Sequence, residues 1–138
     1  MQATKTNWNL DNGMGGMISV GIGGSITGYG ADLLIVDDPI KNRAEAESAT
    51  YRDKLWDEYQ STVSTRLHAG GAVIIILTRW HEDDLAARLL NPEYGKVEDW
   101  DIISLPAVCE DPATDPLGRE LGEALWPAGG YDAAWGAH

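Results

Sequence analysis

Leu33-Leu34-Ile35-Val36-Asp37-Asp38-Pro39 runs four apolar side chains into two adjacent carboxylates and a proline. An unbroken apolar run with β-branched members reads as a strand buried on both faces, as in a parallel sheet. Aspartate is a poor strand former, and Pro39 has no N–H to give a central ladder, so the strand must stop there. The two acids then sit at the carboxyl edge of the sheet, where open α/β sheets bind ligands.

A second run, Ala72-Val73-Ile74-Ile75-Ile76-Leu77, is richer still in β-branched residues and also reads as a buried strand. Between the two runs, Asn42 followed by Glu45 has the form of a capping box, which predicts a helix from Arg43 or Ala44 to about Leu67. Tyr51, Leu55, Trp56, Tyr59, Val63 and Leu67 recur at spacings of three and four and make one apolar stripe. Ala69-Gly70-Gly71 is expected to end this helix, with glycine in a left-handed cap. Strand, long helix and strand form a βαβ crossover, so the strands are expected to be parallel and the crossover right-handed. Their polar ends then share one edge. Asp37-Asp38 and Thr78-Arg79-Trp80-His81 are therefore expected to be close in space.

Upstream, Thr6, Trp8 and Leu10 alternate along one segment and Ile18, Val20 and Ile22 along another. The intervening Asp11-Asn12-Gly13-Met14-Gly15-Gly16 is turn chemistry, which predicts a β-hairpin. The glycine-rich stretch 21–30 invites a phosphate-binding reading. No Gly-Lys-Ser/Thr follows it, and it leads into a strand, so it reads as a flexible connector. Downstream, residues 82–90 read as a short helix with acids in its first turn, where they suit the helix dipole, and Asn91-Pro92 stops it. Trp100 to Leu105 is expected to form a further short strand, closed by Pro106. From there to His138, Pro, Gly, Ala and Asp dominate, and the tail reads as an extended linker or irregular lobe. The fold class is α/β, with buried parallel strands, a crossover helix, an N-terminal hairpin and an irregular tail.

The 138 residues are enough for one domain or a part of one, and 43% apolar content is enough to fill a core. A net charge of −12 argues against a free-standing nucleic-acid-binding module, which needs a basic surface. Cys109 stands alone, which excludes an internal disulfide and fits a reducing compartment. No apolar stretch approaches the roughly 20 residues of a membrane span. The polar start Met1-Gln2-Ala3-Thr4-Lys5 is not a signal peptide, so a soluble intracellular protein is expected.

An apolar strand ending in two acids is the Walker B pattern of P-loop ATPases. There the first acid helps hold Mg²⁺ near the phosphates. The second orients, or takes a proton from, the attacking water. A solvated Asp-Asp turn at a strand end is the other reading, and this stretch alone does not choose between them. The second strand adds weight. The Thr78 hydroxyl and Arg79 guanidinium at the same edge stand where a γ-phosphate sensor has to be.

Residues 28–42, with Asp37-Asp38-Pro39-Ile40-Lys41-Asn42 at their end, resemble the Walker B region of the large terminase subunit of tailed bacteriophages. Thr78-Arg79-Trp80-His81-Glu82-Asp83-Asp84-Leu85 resembles the segment with that family's coupling motif. Asp115-Pro116-Leu117-Gly118-Arg119 and Gly122-Glu123-Ala124-Leu125-Trp126-Pro127 resemble the stretch leading from its ATPase domain toward its nuclease. The resemblance implies a partial P-loop NTPase-type sheet in a motor that uses ATP and Mg²⁺ to drive viral double-stranded DNA into procapsids. Residues 1–105 would be part of the ATPase domain and 106–138 the linker or tail. Asp37 would be the Mg²⁺ ligand and, with Asp38, would contact Mg-ATP. Asp38 would be the catalytic carboxylate, Thr78 the coupling residue and Arg79 its neighbour in the site. Implied partners are the portal protein, the small terminase subunit and further copies in a homo-oligomeric ring, in the host cell cytoplasm.

The sequence departs from that pattern in two ways. It holds no Walker A motif, and the nuclease acids would lie beyond His138, so the chain reads as the second half of a terminase ATPase domain plus linker. No Lys or Arg lies between Lys5 and Lys41, where an arginine finger is sought; Tyr29 stands there, and Arg43 and Arg79 are the nearest substitutes. Two alternatives stay open. One is a catalytically inactive remnant or interaction module completed by a partner. The other is a metal-dependent hydrolase using Asp37 and Asp38 alone. His81-Glu82-Asp83-Asp84 reads as helix capping and not as a metal cluster, because consecutive residues diverge around a helix axis. Trp56 and Tyr59 read as core, Cys109 as structural, and His68 and His138 as surface.

Overall fold

The structure is a computed structural model and describes residues 6–11, 13–24 and 28–131. Asn12, Ser25 to Thr27 within the glycine-rich connector, Lys5 and His138 lie outside the described residues. The chain divides into two units, residues 1–98 and 99–138, each described by itself below.

In the first unit, β1 (Asn7–Asn9) and β2 (Gly16–Ile18) pair antiparallel, with Asn7 opposite Ile18 and Asn9 opposite Gly16. This is the expected hairpin. A Cβ on Gly16 would lie 2.6 Å from the Trp8 carbonyl oxygen, so only glycine fits there without a shift. β3 (Ala31–Asp37) pairs parallel with β4 (Leu67–Ile76), and Leu33 to Asp37 stand opposite Ala72 to Ile76 residue by residue. The βαβ expectation therefore holds for strand direction.

Between these strands the single predicted helix is two. Helix α1 (Arg43–Glu47) starts at Asn42, whose side chain accepts from the Glu45 N–H at 3.0 Å. The Glu45 carboxylate reaches back to the Lys41 N–H at 3.0 Å, so the box closes one residue earlier than its usual form. Helix α2 (Ala49–Arg66) restarts at once, because Ser48 is extended and caps the Tyr51 N–H. Helix α2 passes directly into β4 at Leu67, and the Gly70 cap is not there. Residues 68–71 instead form an irregularity in β4, where the register jumps between Ala31–Leu67 and Leu33–Ala72. Gly70 still takes a left-handed φ of +79°, now to absorb the extra residues of the bulge.

Ile40, Ala46, Leu55 and Leu85 form the buried core, with Val36, Tyr51, Trp56, Tyr59, Ile75 and Leu89 packed on it. Trp56 stacks on Tyr59 at 6.2 Å between centroids and meets the edge of Tyr94 at 5.5 Å, as core aromatics do. All of this lies on one side of the strand pair. On the other side Leu33, Ile35, Ile74 and Ile76 are exposed, Ile76 by 54%. The expectation of burial on both faces is therefore overturned. Among the described residues helices cover only one face, and a strand's alternate side chains point to opposite faces.

Helix α3 (Leu85–Leu90) begins three residues later than expected, with Asp84 as its cap rather than an acid within its first turn. Asn91 ends it, and Pro92–Tyr94 forms a single 3₁₀ turn.

The second unit is ordered by turns. Residues 100–105 form no strand, and Ile102 and Ile103 are exposed; among the described residues of the unit none pairs with them in a ladder. Val108 bridges Ala124 antiparallel, flanked by Cys109 N–H to Glu123 O and Leu125 N–H to Ala107 O, both 2.8 Å. The Asp115 carboxylate accepts from the Leu117 and Arg119 N–H groups and from the Arg119 guanidinium, which also bonds the Pro106 carbonyl at 3.0 Å. Cys109 is buried beneath this turn, its thiol 3.4 Å from the Arg119 carbonyl.

Candidate functional site

The parallel register places Asp37 opposite Ile76, and the Asp38 N–H donates to the Ile76 carbonyl at 2.8 Å. Asp38 takes φ +41°, the one left-handed non-glycine residue among the described ones. That conformation costs an L-residue about 1–2 kcal/mol, less for aspartate. It turns the chain off the ladder just before Pro39, which has no N–H to continue it. Asp37 therefore stays on the open face with Leu33 and Ile35, while Asp38 leaves the plane of the strand. Both carboxylates are exposed, and neither has a hydrogen bond or ion-pair partner among the described residues.

Past β4, Leu77, Thr78 and His81 line a shallow cleft with Pro39, Ile40 and Leu85. The two post-strand turns thus share a wall. Arg79 leads elsewhere: its guanidinium pairs with the buried Asp84. Asp84 meanwhile accepts from the Ala87 N–H at 2.9 Å and so caps α3.

Beside this turn lies a charge network built around Asp83. Arg88 grips Asp83 with two bonds of 2.8 and 2.7 Å, and Arg52 of α2 adds a third at 3.1 Å. Arg88 also meets Asp53 at 2.9 Å and stacks over the Tyr94 ring at 5.0 Å, while the Tyr94 hydroxyl donates to Asp83. The Arg88 hydrogen bonds hold the Asp83 carboxyl far below the usual carboxylate range, against desolvation and with help from Arg52. The same bonds raise Arg88. Burial raises the Tyr51 and Tyr59 phenols, with Glu45 and Glu98 adding to it.

A family model for the N-terminal region of the terminase large subunit of T4-like viruses matches residues 5–128. The chain belongs to this family. Comparison with curated proteins and with solved structures gave no match. Membership gives this terminase chain a place in phage DNA packaging. No helix among the described residues is long and apolar enough to cross a membrane.

Mg²⁺ and ATP, which the sequence resemblance implies, can be held only by residues with suitable free groups. Among the described residues no group of three or more His, Cys, Asp or Glu side chains is arranged to hold a metal. His81-Glu82-Asp83-Asp84 is used up locally: Asp84 caps α3, Asp83 binds two arginines, and His81 Nδ1 accepts from the Asp83 N–H at 2.9 Å. The two free carboxylates fit Mg²⁺, which takes one or two protein carboxylates and completes its shell with water and phosphate oxygens. No phosphate-binding loop with its lysine stands beside them in the sequence.

The Asp83 network was missed in the sequence, where the acids at 82–84 read as dipole partners. One signal was available. Arg88 lies three residues after Leu85 and one before Leu89, on the apolar stripe of α3, where a cation needs a buried acid.

Proposed function

We propose that this terminase chain supplies the Walker B end and the coupling segment of an ATP-driven DNA-packaging motor with a P-loop NTPase-type sheet. The reading assigns the chain to the second half of the ATPase domain. The supporting observation is the parallel pairing of β3 and β4, which ends Asp37-Asp38 and Thr78-Arg79 at one edge of one sheet. Asp37 and Asp38 point apart, so two neighbouring acids can take two roles. Asp37 holds the cation. Asp38 orients the attacking water and takes its proton. Mg²⁺, when bound, neutralises charge on the transferring phosphoryl group. Thr78, on the shared cleft wall, responds to what occupies the sheet edge, and Arg79 positions that turn through Asp84. Double-stranded DNA, portal protein, small terminase subunit and a ring of copies belong to the same reading.

Two experiments test it. Mn²⁺ standing in for Mg²⁺ broadens the amide signals of residues 36–38, 40 and 76–79 in the chain, and Asp37→Asn removes the effect. Broadening spread over the whole acidic surface refutes the site. In a full-length relative, Asn at the position of Asp38 abolishes turnover and spares nucleotide binding; unchanged turnover refutes the role of Asp38.

The exposed Leu33, Ile35, Ile74 and Ile76 favour a second reading, a non-catalytic module completed by a partner. A chain that is monomeric at high concentration counts against it.

A further inference from the structure

Arg52 touches both post-strand segments. Its Nη1 donates to the Ala46 carbonyl at 2.6 Å, at the end of α1, which follows the Asp37-Asp38 turn. Its Nε donates to Asp83 at 3.1 Å, in the turn that follows β4. The side chain is 12% exposed and lines the cleft between the two turns. A rigid planar fork can serve two acceptors at a fixed angle, which an ammonium cannot do. Ala46 O is one of the carbonyls that a helix end leaves without an intrahelical partner, so this bond satisfies an orphan acceptor. Asp83 stays anchored to α3 by Arg88 whether Arg52 is present or not.

We infer that Arg52 is a positioning residue that couples the turn after β4 to the end of helix α1. Its use in the motor rests on the reading of Thr78-Arg79 as the coupling segment. The link itself does not, because it is built from the Arg52 contacts to Ala46 and Asp83 alone. A displacement of Thr78 to Asp84 is carried by Asp83 and Arg52 to Ala46.

A double-mutant cycle on the 138-residue chain, read by amide hydrogen exchange without nucleotide, tests the link. The Ala46 N–H (to Asn42 O, 3.2 Å) and Ser48 N–H (to Glu45 O, 3.2 Å) report α1. The Asp38 N–H, bonded to Ile76 O, is the control for global opening. Asp83→Asn in the parent chain is expected to speed exchange at Ala46 and Ser48 by roughly threefold to tenfold, the size of coupling between contacting charged groups. The Asp38 amide keeps its rate. In an Arg52→Met background Asp83→Asn has no further effect on Ala46 or Ser48. Arg52→Lys keeps the charge and loses the fork, and gives the same uncoupled result. It decides the matter if Arg52→Met does not fold. An Asp83→Asn effect equal in all backgrounds, or one that moves Ala46, Ser48 and Asp38 together, overturns the inference. So does failure of both Arg52 variants to fold, which makes Arg52 a plain structural residue. Failure of the Mn²⁺ experiment with the cycle intact would sink the nucleotide reading and leave the link standing.

Discussion

Arg88→Met tests the network that holds the turn after β4. The Arg88 side chain is 5% exposed and meets Asp83 twice and Asp53 once, between 2.7 and 2.9 Å. Breaking a buried pair on one side costs about 3–5 kcal/mol when the other charge is left alone. Here Asp83 is not left alone: it is one-third exposed and keeps Arg52 at 3.1 Å and the Tyr94 hydroxyl at 3.3 Å. The network is covered by its own neighbours yet lies near the surface of a small unit, so water screens it. The expected loss is about 2 kcal/mol, the worth of one hydrogen bond between charged groups. In urea unfolding followed by helix circular dichroism, the midpoint falls with an unchanged slope. The thermal midpoint falls by roughly 10 °C, at about 4–8 °C per kcal/mol for a unit of this size. The pH dependence has a definite sign. Asp83 has a depressed folded-state pKa, so its contribution is full above its unfolded pKa and is lost as pH falls through the folded value. The gap between parent and variant is therefore constant from neutral pH to about pH 5 and narrows below about pH 4. A loss under about 0.5 kcal/mol, the scatter of ordinary surface substitutions, refutes the assignment. A gap that widens on acidification refutes it too.

Three further outcomes are expected. Asp84→Ala removes the α3 cap and costs about 1–2 kcal/mol in urea unfolding, while Asp84→Asn keeps the cap and recovers most of it; equal losses would mean that the Arg79 pair, and not the cap, is what matters. Gly70→Ala puts a Cβ into open space at φ +79°, so it costs about 1 kcal/mol from backbone strain alone; a neutral result would show that the β4 bulge is not needed in this form. Ile35→Thr with Ile76→Thr, both on the open sheet face, lowers self-association in sedimentation velocity and costs under about 1 kcal/mol each; association that persists places the contact elsewhere.

Much of the fold was legible because it is written in local chemistry. Two β-branched runs separated by an amphipathic helix specify parallel strands, since no short link can join parallel neighbours. Asn42 caps a helix because a short polar side chain can satisfy an orphan N–H. The placement of Asp37 and Asp38 at a strand end followed from Pro39, and the pairing with β4 is what sets Thr78 and Arg79 at the same edge.

Other features were set by groups far apart in the chain. The break at Ser48 divides what the 3.6-residue period makes continuous, since periodicity does not register a cap inside a stripe. Gly70 looked like a helix end because a left-handed glycine serves a cap and a bulge equally well; only the pairing of Ala31 with Leu67 decides between them. An apolar run shows that side chains avoid water, and not which layer covers them, so the open face of Ile35 and Ile76 could not be read from composition. Local chemistry along the chain sets the strand–helix–strand order and puts the acids at the strand end. Which charges meet was decided only in three dimensions: Asp83 chooses Arg52 and Arg88 over solvent because α2 and α3 bring both guanidiniums within hydrogen-bond reach of it.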